Sequence, residues 1–100
     1  MPIQALGYAC TLQWARYGNG RAALRLVDAE TGEPLATASV NVPDEALADD
    51  EMCVKDYAEN AGLLDDLVRA GIVEATGRFV SAGYVTIPIA KIRVPEGAMS

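Results

Sequence analysis

The chain has 100 residues, 51% apolar and 22% charged, with 14 acids against 8 bases and no histidine. That length makes a single domain, 1–100, with a modest net stability on the order of 5–10 kcal/mol, and the apolar content argues against disorder. The missing histidine removes the commonest general base and zinc ligand, and a net charge of −6 argues against direct binding of nucleic acid, which needs basic patches.

The uncharged run from Met1 to Ala15 has no basic start and no cleavage motif, so it reads as neither a signal peptide nor a membrane span. Residues 8–17 alternate as a half-buried strand does. Tyr8, Cys10, Leu12 and Trp14 share one face, with Trp14 read as core. Gly18-Asn19-Gly20 marks a tight turn, and residues 21–28 return with Ala22, Leu24 and Leu26 facing inward. Asp28 to Pro34 is the next turn, with Pro34 opening a third strand. Over residues 35–42 that strand puts Ala36, Ala38, Val40 and Val42 inside, and Thr37, Ser39 and Asn41 outside.

Pro43 ends the strand. Asp44 to Glu51 crosses as a loop or one helical turn, with Ala46 and Leu47 touching the core. Met52-Cys53-Val54 is a short strand or a buried connector. Asp56 or Asn60 caps a helix over residues 60–71, which Gly71 stops. Leu63, Leu64, Leu67 and Val68 make its apolar face. Asp65 and Arg69 form an i, i+4 pair on the other face. Ile72-Val73 enters the core, Thr76-Gly77-Arg78 turns the chain, Phe79-Val80 is a short strand and Ser81 to Gly83 a bend. The last strand spans 84–94. Pro88 cannot donate to a ladder, which predicts a sheet edge or a bulge. Pro95 to Ser100 is a tail. The elements sum to an α+β fold: an antiparallel sheet of four or five strands with one amphipathic helix packed on one face.

The charge is polarised. From Asp44 to Asp66 there are nine acids and one base, while the rest of the chain holds five acids and seven bases. Asp44, Glu45, Asp49, Asp50 and Glu51 crowd the first part, and the nearest base in sequence is Lys55. Their bland role is a solvated loop. Their functional role is an array that competes with phosphate for a partner's arginines, since guanidinium grips either group in the same fork. Asp28, Glu30 and Glu33 make a second patch. Calcium is a poor alternative for Asp44 to Glu51, which lacks the D-x-[DN]-x-[DN]-G pattern and its glycine. No metal or cofactor is expected. Gly18-Asn19-Gly20 lies between strands and is no phosphate loop. Tyr57 anchors the helix start, and Ser39 and Ser81 have no base to activate them. Cys10 and Cys53 read as buried free thiols.

Lys55-Asp56-Tyr57-Ala58-Glu59-Asn60, Gly62-Leu63-Leu64 and Ala70-Gly71-Ile72-Val73 resemble a widespread family of small bacterial phage, prophage and mobile-element proteins. The likeness extends to Asp28 through Pro34, Val40-Asn41-Val42-Pro43 and Thr76-Gly77-Arg78. It carries over no catalytic residues. It implies a setting, a phage or integrated element in the cytoplasm of a bacterial host. Small acidic proteins in that setting are often host-defence inhibitors, including anti-CRISPR proteins that cover the nucleic-acid-binding surface of an interference complex. The expectation is therefore a non-enzymatic protein whose partner is a basic, nucleic-acid-binding host surface. The other expectation is a structural protein that dimerises through a strand edge.

Overall fold

The computed structural model of the chain describes residues 2–42 and 47–93. The fold is α+β, with antiparallel sheets of four strands each and one helix against a sheet face. There are two such sheets, because the third predicted strand divides between them. The first sheet is ordered β1 (Ile3–Ala5), β2 (Tyr8–Arg16), β3 (Ala22–Asp28), β4 (Pro34–Thr37). The second runs β5 (Ser39–Val40), β6 (Glu51–Val54), β8 (Val85–Ile92), β7 (Val73–Ala82). Helix α1 spans Leu63–Arg69, preceded by a 3-10 turn at Ala58–Asn60.

The β2–β3 hairpin follows its alternation. Cys10, Trp14, Ala22, Leu24 and Leu26 are buried on one face. Its three-residue loop closes with Gly20 N–H donating to Tyr17 O at 2.8 Å and Gly20 at φ 85°. A type I turn followed by a left-handed residue fits the twist of such hairpins.

Ala38 is where the chain changes sheets. Its N–H still belongs to the first sheet, donating to Leu24 O at 2.8 Å. Its C=O already belongs to the second, accepting from Lys55 N–H at 2.8 Å. The Leu24 N–H loses the carbonyl that a continued ladder would have offered. Ser39 Oγ takes its place at 3.0 Å, and also bonds Tyr17 OH at 2.8 Å. Ser39, expected on the outside, is therefore 3% exposed. A buried hydroxyl is stable there because both of its neighbours are polar groups that need it.

The last strand does not lie at an edge. β8 is interior, paired with β6 on one side and β7 on the other. Pro88 lies past the last β6 partner, Cys53↔Ile89, and its pairing with Phe79 follows a shift in the β7 register. That shift holds Thr76-Gly77-Arg78, which bulges the strand instead of turning the chain. Gly77 sits at φ 80°, Thr76 Oγ1 donates to Ile89 O at 2.7 Å and accepts from Arg78 N–H at 3.1 Å. The proline is tolerated where the ladder is already broken.

Both sheets contribute to the main core. Met52, Val54, Val73, Ala90 and Ile92 face the first sheet's apolar side, and Leu63 and Leu67 of α1 join them. A smaller cluster of Cys53, Val80, Ile87 and Ile89 lies on the second sheet, packed by Leu47 and Tyr57. The helix is shorter than expected, and Val68 is 41% exposed. It ends in a Schellman motif: Gly71 N–H bonds Val68 O and Ile72 N–H bonds Leu67 O, both at 3.0 Å, with Gly71 at φ 76°. Asp56 does the capping, its Oδ1 accepting from Leu64 N–H at 3.1 Å. Arg69 pairs with Asp66, at i, i+3 and 3.0 Å, where Asp65 was expected. Asp66 is preferred because its other oxygen accepts Leu6 N–H at 3.0 Å, which holds the carboxylate in place.

Candidate interaction site

Asp44 and Glu45, with Pro43, Ala46 and the tail from residue 94, lie outside the described residues. The remaining candidates fall into two groups. Asp49, Asp50 and Glu51 lead into β6 across a cleft of about 590 Å³ from the β2–β3 loop. Asp28, Glu30 and Glu33 occupy the β3–β4 turn. The register Arg16↔Ala22 and Cys10↔Asp28 puts the loop and that turn at opposite ends of the β2–β3 hairpin. From Ala22 to Asp28 a strand covers roughly 20 Å. The two acidic groups therefore form no single edge.

The first group is partly neutralised by bases distant in sequence. Glu51 Oε1 meets Arg78 at 2.7 Å and also accepts Ala48 N–H at 2.9 Å. Asp50 lies 3.7 Å from Lys91. Arg16 and Arg21 line the same cleft, their guanidinium groups donating to Gly20 O at 2.8 Å and Val42 O at 2.6 Å. The cleft is thus of mixed charge. Asp49 is exposed and, among the described residues, has no ion pair.

The second group is better organised. Asp28 Oδ1 accepts from Glu30 N–H at 2.8 Å and Thr31 N–H at 3.2 Å, and Thr31 Oγ1 from Glu33 N–H at 3.2 Å. Gly32 closes the turn at φ 77°, its N–H on Asp28 O at 2.9 Å. Asp28 is spent on shaping the turn. Glu30 and Glu33 are exposed and, among the described residues, carry no ion pair.

Elsewhere Lys55 bridges Glu59 at 2.7 Å and lies 5.9 Å from the Tyr57 ring centre. The bridge raises the lysine pKa and lowers that of the glutamate. The two thiols are free and buried in different clusters, Cys10 in the main core and Cys53 in the smaller one. Burial, with a lesser push from the charges of Asp28 and Asp66, raises the Cys10 pKa above the usual thiol value. A raised folded pKa stabilises the fold below the unfolded thiol's pKa, near 8.5, and that contribution is lost as pH rises through the folded value. The urea-stability difference between wild type and Cys10→Ala should accordingly shrink as the pH rises above about 8.5. A constant difference would show that the thiol titrates alike in the folded and unfolded states.

Among the described residues no three His, Cys, Asp or Glu side chains gather as metal ligands would, and no helix is long and apolar enough to cross a membrane. Sequence reasoning missed the cations of the cleft and the ion pairs from β7 and β8, because only strand pairing brings them near. It also missed the role of Asn60, whose buried side chain donates to Thr37 O at 2.9 Å. Comparison with family models, curated proteins and solved structures finds no match for the chain.

Proposed function

We propose that this chain is a non-enzymatic inhibitor from a phage or mobile element, acting in the cytoplasm of a bacterial host. It occupies a basic nucleic-acid-binding surface of a defence protein, specifically the target-DNA site of a CRISPR interference complex. The biological setting rests on the family resemblance. The binding mode rests on one observation, the β3–β4 turn. Its backbone is fixed by Asp28 and Thr31, and it holds out Glu30 and Glu33 without internal cationic partners among the described residues. A pre-shaped pair of carboxylates loses little entropy on meeting arginine forks. Asp49 adds charge at the other end, while Glu51 is committed to Arg78 at 2.7 Å and the exposed Asp50 is only loosely paired with Lys91 at 3.7 Å.

The test is displacement of labelled target DNA from purified interference complexes. Wild-type chain should release the DNA. The folded double variant Glu30→Lys/Glu33→Lys should need at least about tenfold more protein for the same effect. Reversal of Asp49 alone should weaken inhibition less. DNA binding untouched by the wild type sinks the interference-complex assignment. Equal inhibition by the folded double variant sinks the carboxylate mode.

A second reading, self-assembly through a strand edge, is favoured by β7. This strand has ten residues, lies at a sheet edge and exposes Phe79 at 62%. Its bulge and its Arg78 oppose pairing. A light-scattering mass twice that of the monomer, reduced to one by Phe79→Lys, would select this reading.

A further inference from the structure

Of the asparagines in the chain, Asn19 alone is followed by glycine; Val42 follows Asn41 and Ala61 follows Asn60. The neighbour matters chemically. The backbone nitrogen of the following residue can attack an asparagine side-chain carbonyl carbon, and glycine has no side chain to obstruct that approach. Asn19 and Gly20 are also exposed in the β2–β3 loop, where water reaches both.

The folded loop holds the reacting groups in other bonds. Gly20 N–H donates to Tyr17 O at 2.8 Å, and Gly20 O accepts from the Arg16 guanidinium at 2.8 Å. The Asn19 carboxamide is held at both ends. Its Oδ1 accepts from Arg21 N–H at 3.3 Å, which fixes the amide's orientation, since a backbone N–H can only donate. Its Nδ2 donates to Asn41 Oδ1 at 3.1 Å. For the Gly20 nitrogen to reach Asn19 Cγ, the carboxamide must swing out of both bonds and the Tyr17 closure must open. All of these are bonds of an exposed loop, so the opening is local and leaves the core intact.

We propose that Asn19 is a site of spontaneous covalent modification, deamidation through a cyclic imide, and that the hairpin loop gates it. In the opened loop the Gly20 nitrogen bonds to Asn19 Cγ. The proton it loses passes through solvent to the departing amide nitrogen, the Cγ–Nδ2 bond breaks and ammonia leaves. Water then opens the imide at either carbonyl, giving aspartate or isoaspartate. The sum is one water consumed and one ammonia released. Isoaspartate routes the main chain through Cγ. That adds a methylene between positions 19 and 20 and displaces the Gly20 N–H from Tyr17 O. Either product places a new carboxylate in the cleft that Arg16 and Arg21 line. The site lies at the opposite end of the hairpin from Glu30 and Glu33 and stands whether or not those residues bind a partner.

The experiment incubates the full chain at mildly alkaline pH, folded and in urea, and follows Asn19 by tryptic digestion. Cleavage after Arg16 and Arg21 releases the peptide Tyr17–Arg21, whose aspartyl and isoaspartyl forms separate from the asparaginyl one by chromatography and mass. The chain in urea should convert at Asn19 at least about tenfold faster than the folded chain. Folded Asn41→Ala, which releases Nδ2, should convert about threefold or more faster than the folded wild type. If the alanine at position 41 does not fold, the comparison of folded and urea-treated wild type decides on its own. Absence of conversion at Asn19 in urea, equal rates with and without urea, or a folded Asn41→Ala no faster than wild type would each overturn the proposal.

Discussion

Truncating Leu67 to alanine should destabilise the protein by about 3 kcal/mol, read as a lower urea midpoint at unchanged slope. Leu67 is fully buried in the main core beside Leu63. The helix that carries it is seven residues long, too short to persist by local propensity. It is held by its capping Asp56, by the Asp66–Leu6 bond and by these two leucines. Alanine at 67 removes the largest of these contributions and leaves a void that neighbouring strands cannot collapse into without breaking ladders. In a domain of this size the melting temperature should fall by roughly 10–20 °C. Val68→Ala, one position on and 41% exposed, should change stability by less than about 1 kcal/mol. Similar losses at both positions would mean that the docked face had been misassigned.

Ser39→Ala should cost about 1–3 kcal/mol even though it removes a single atom. The Leu24 N–H would lose its acceptor in a residue with no solvent exposure, and Tyr17 OH would lose its partner. Tyr17→Phe separates the two losses. It leaves the Leu24 N–H satisfied and should cost less than Ser39→Ala. The comparison is made by chemical denaturation at neutral pH. Equal costs would show that Leu24 N–H finds another acceptor once the hydroxyl has gone.

These two residues mark how far the sequence could be read. Leu67 was legible because helical periodicity is a local signal, as were the alternation of β2 and β3 and the Asp28–Pro34 turn. Ser39 was not. Alternation across residues 35–42 placed it outside, and only the change of sheet at Ala38 brings it in. β1 was missed for a related reason. Its two-residue turn, Leu6-Gly7, has both φ angles positive, and leucine is not a turn signal. The position is held by Asp66, sixty residues away. Thr76-Gly77-Arg78 has the chemistry of a turn or of a bulge. The choice is made by β8, which pairs on both sides of it. At the candidate site the acids themselves were evident, but their local environment was not. Arg78 and Lys91 reach Glu51 and Asp50 only through the β6–β8–β7 order. The buried bond from Asn60 to Thr37 O gave no sequence signal beyond an asparagine at a plausible cap.

The divided bonding of Ala38 has a consequence for how the molecule comes apart. By order of strands, residues 2–37 and 39–93 look like two separable halves. Yet one peptide group donates into the first sheet and the next accepts from the second, with no flexible joint between them. The helix of the later half also reaches back to the β1–β2 turn. Loosening either sheet exposes the shared core and removes bonds from the other. The chain should accordingly melt as one cooperative unit, with the Ala38 and Lys55 amides among the last to exchange with solvent deuterons.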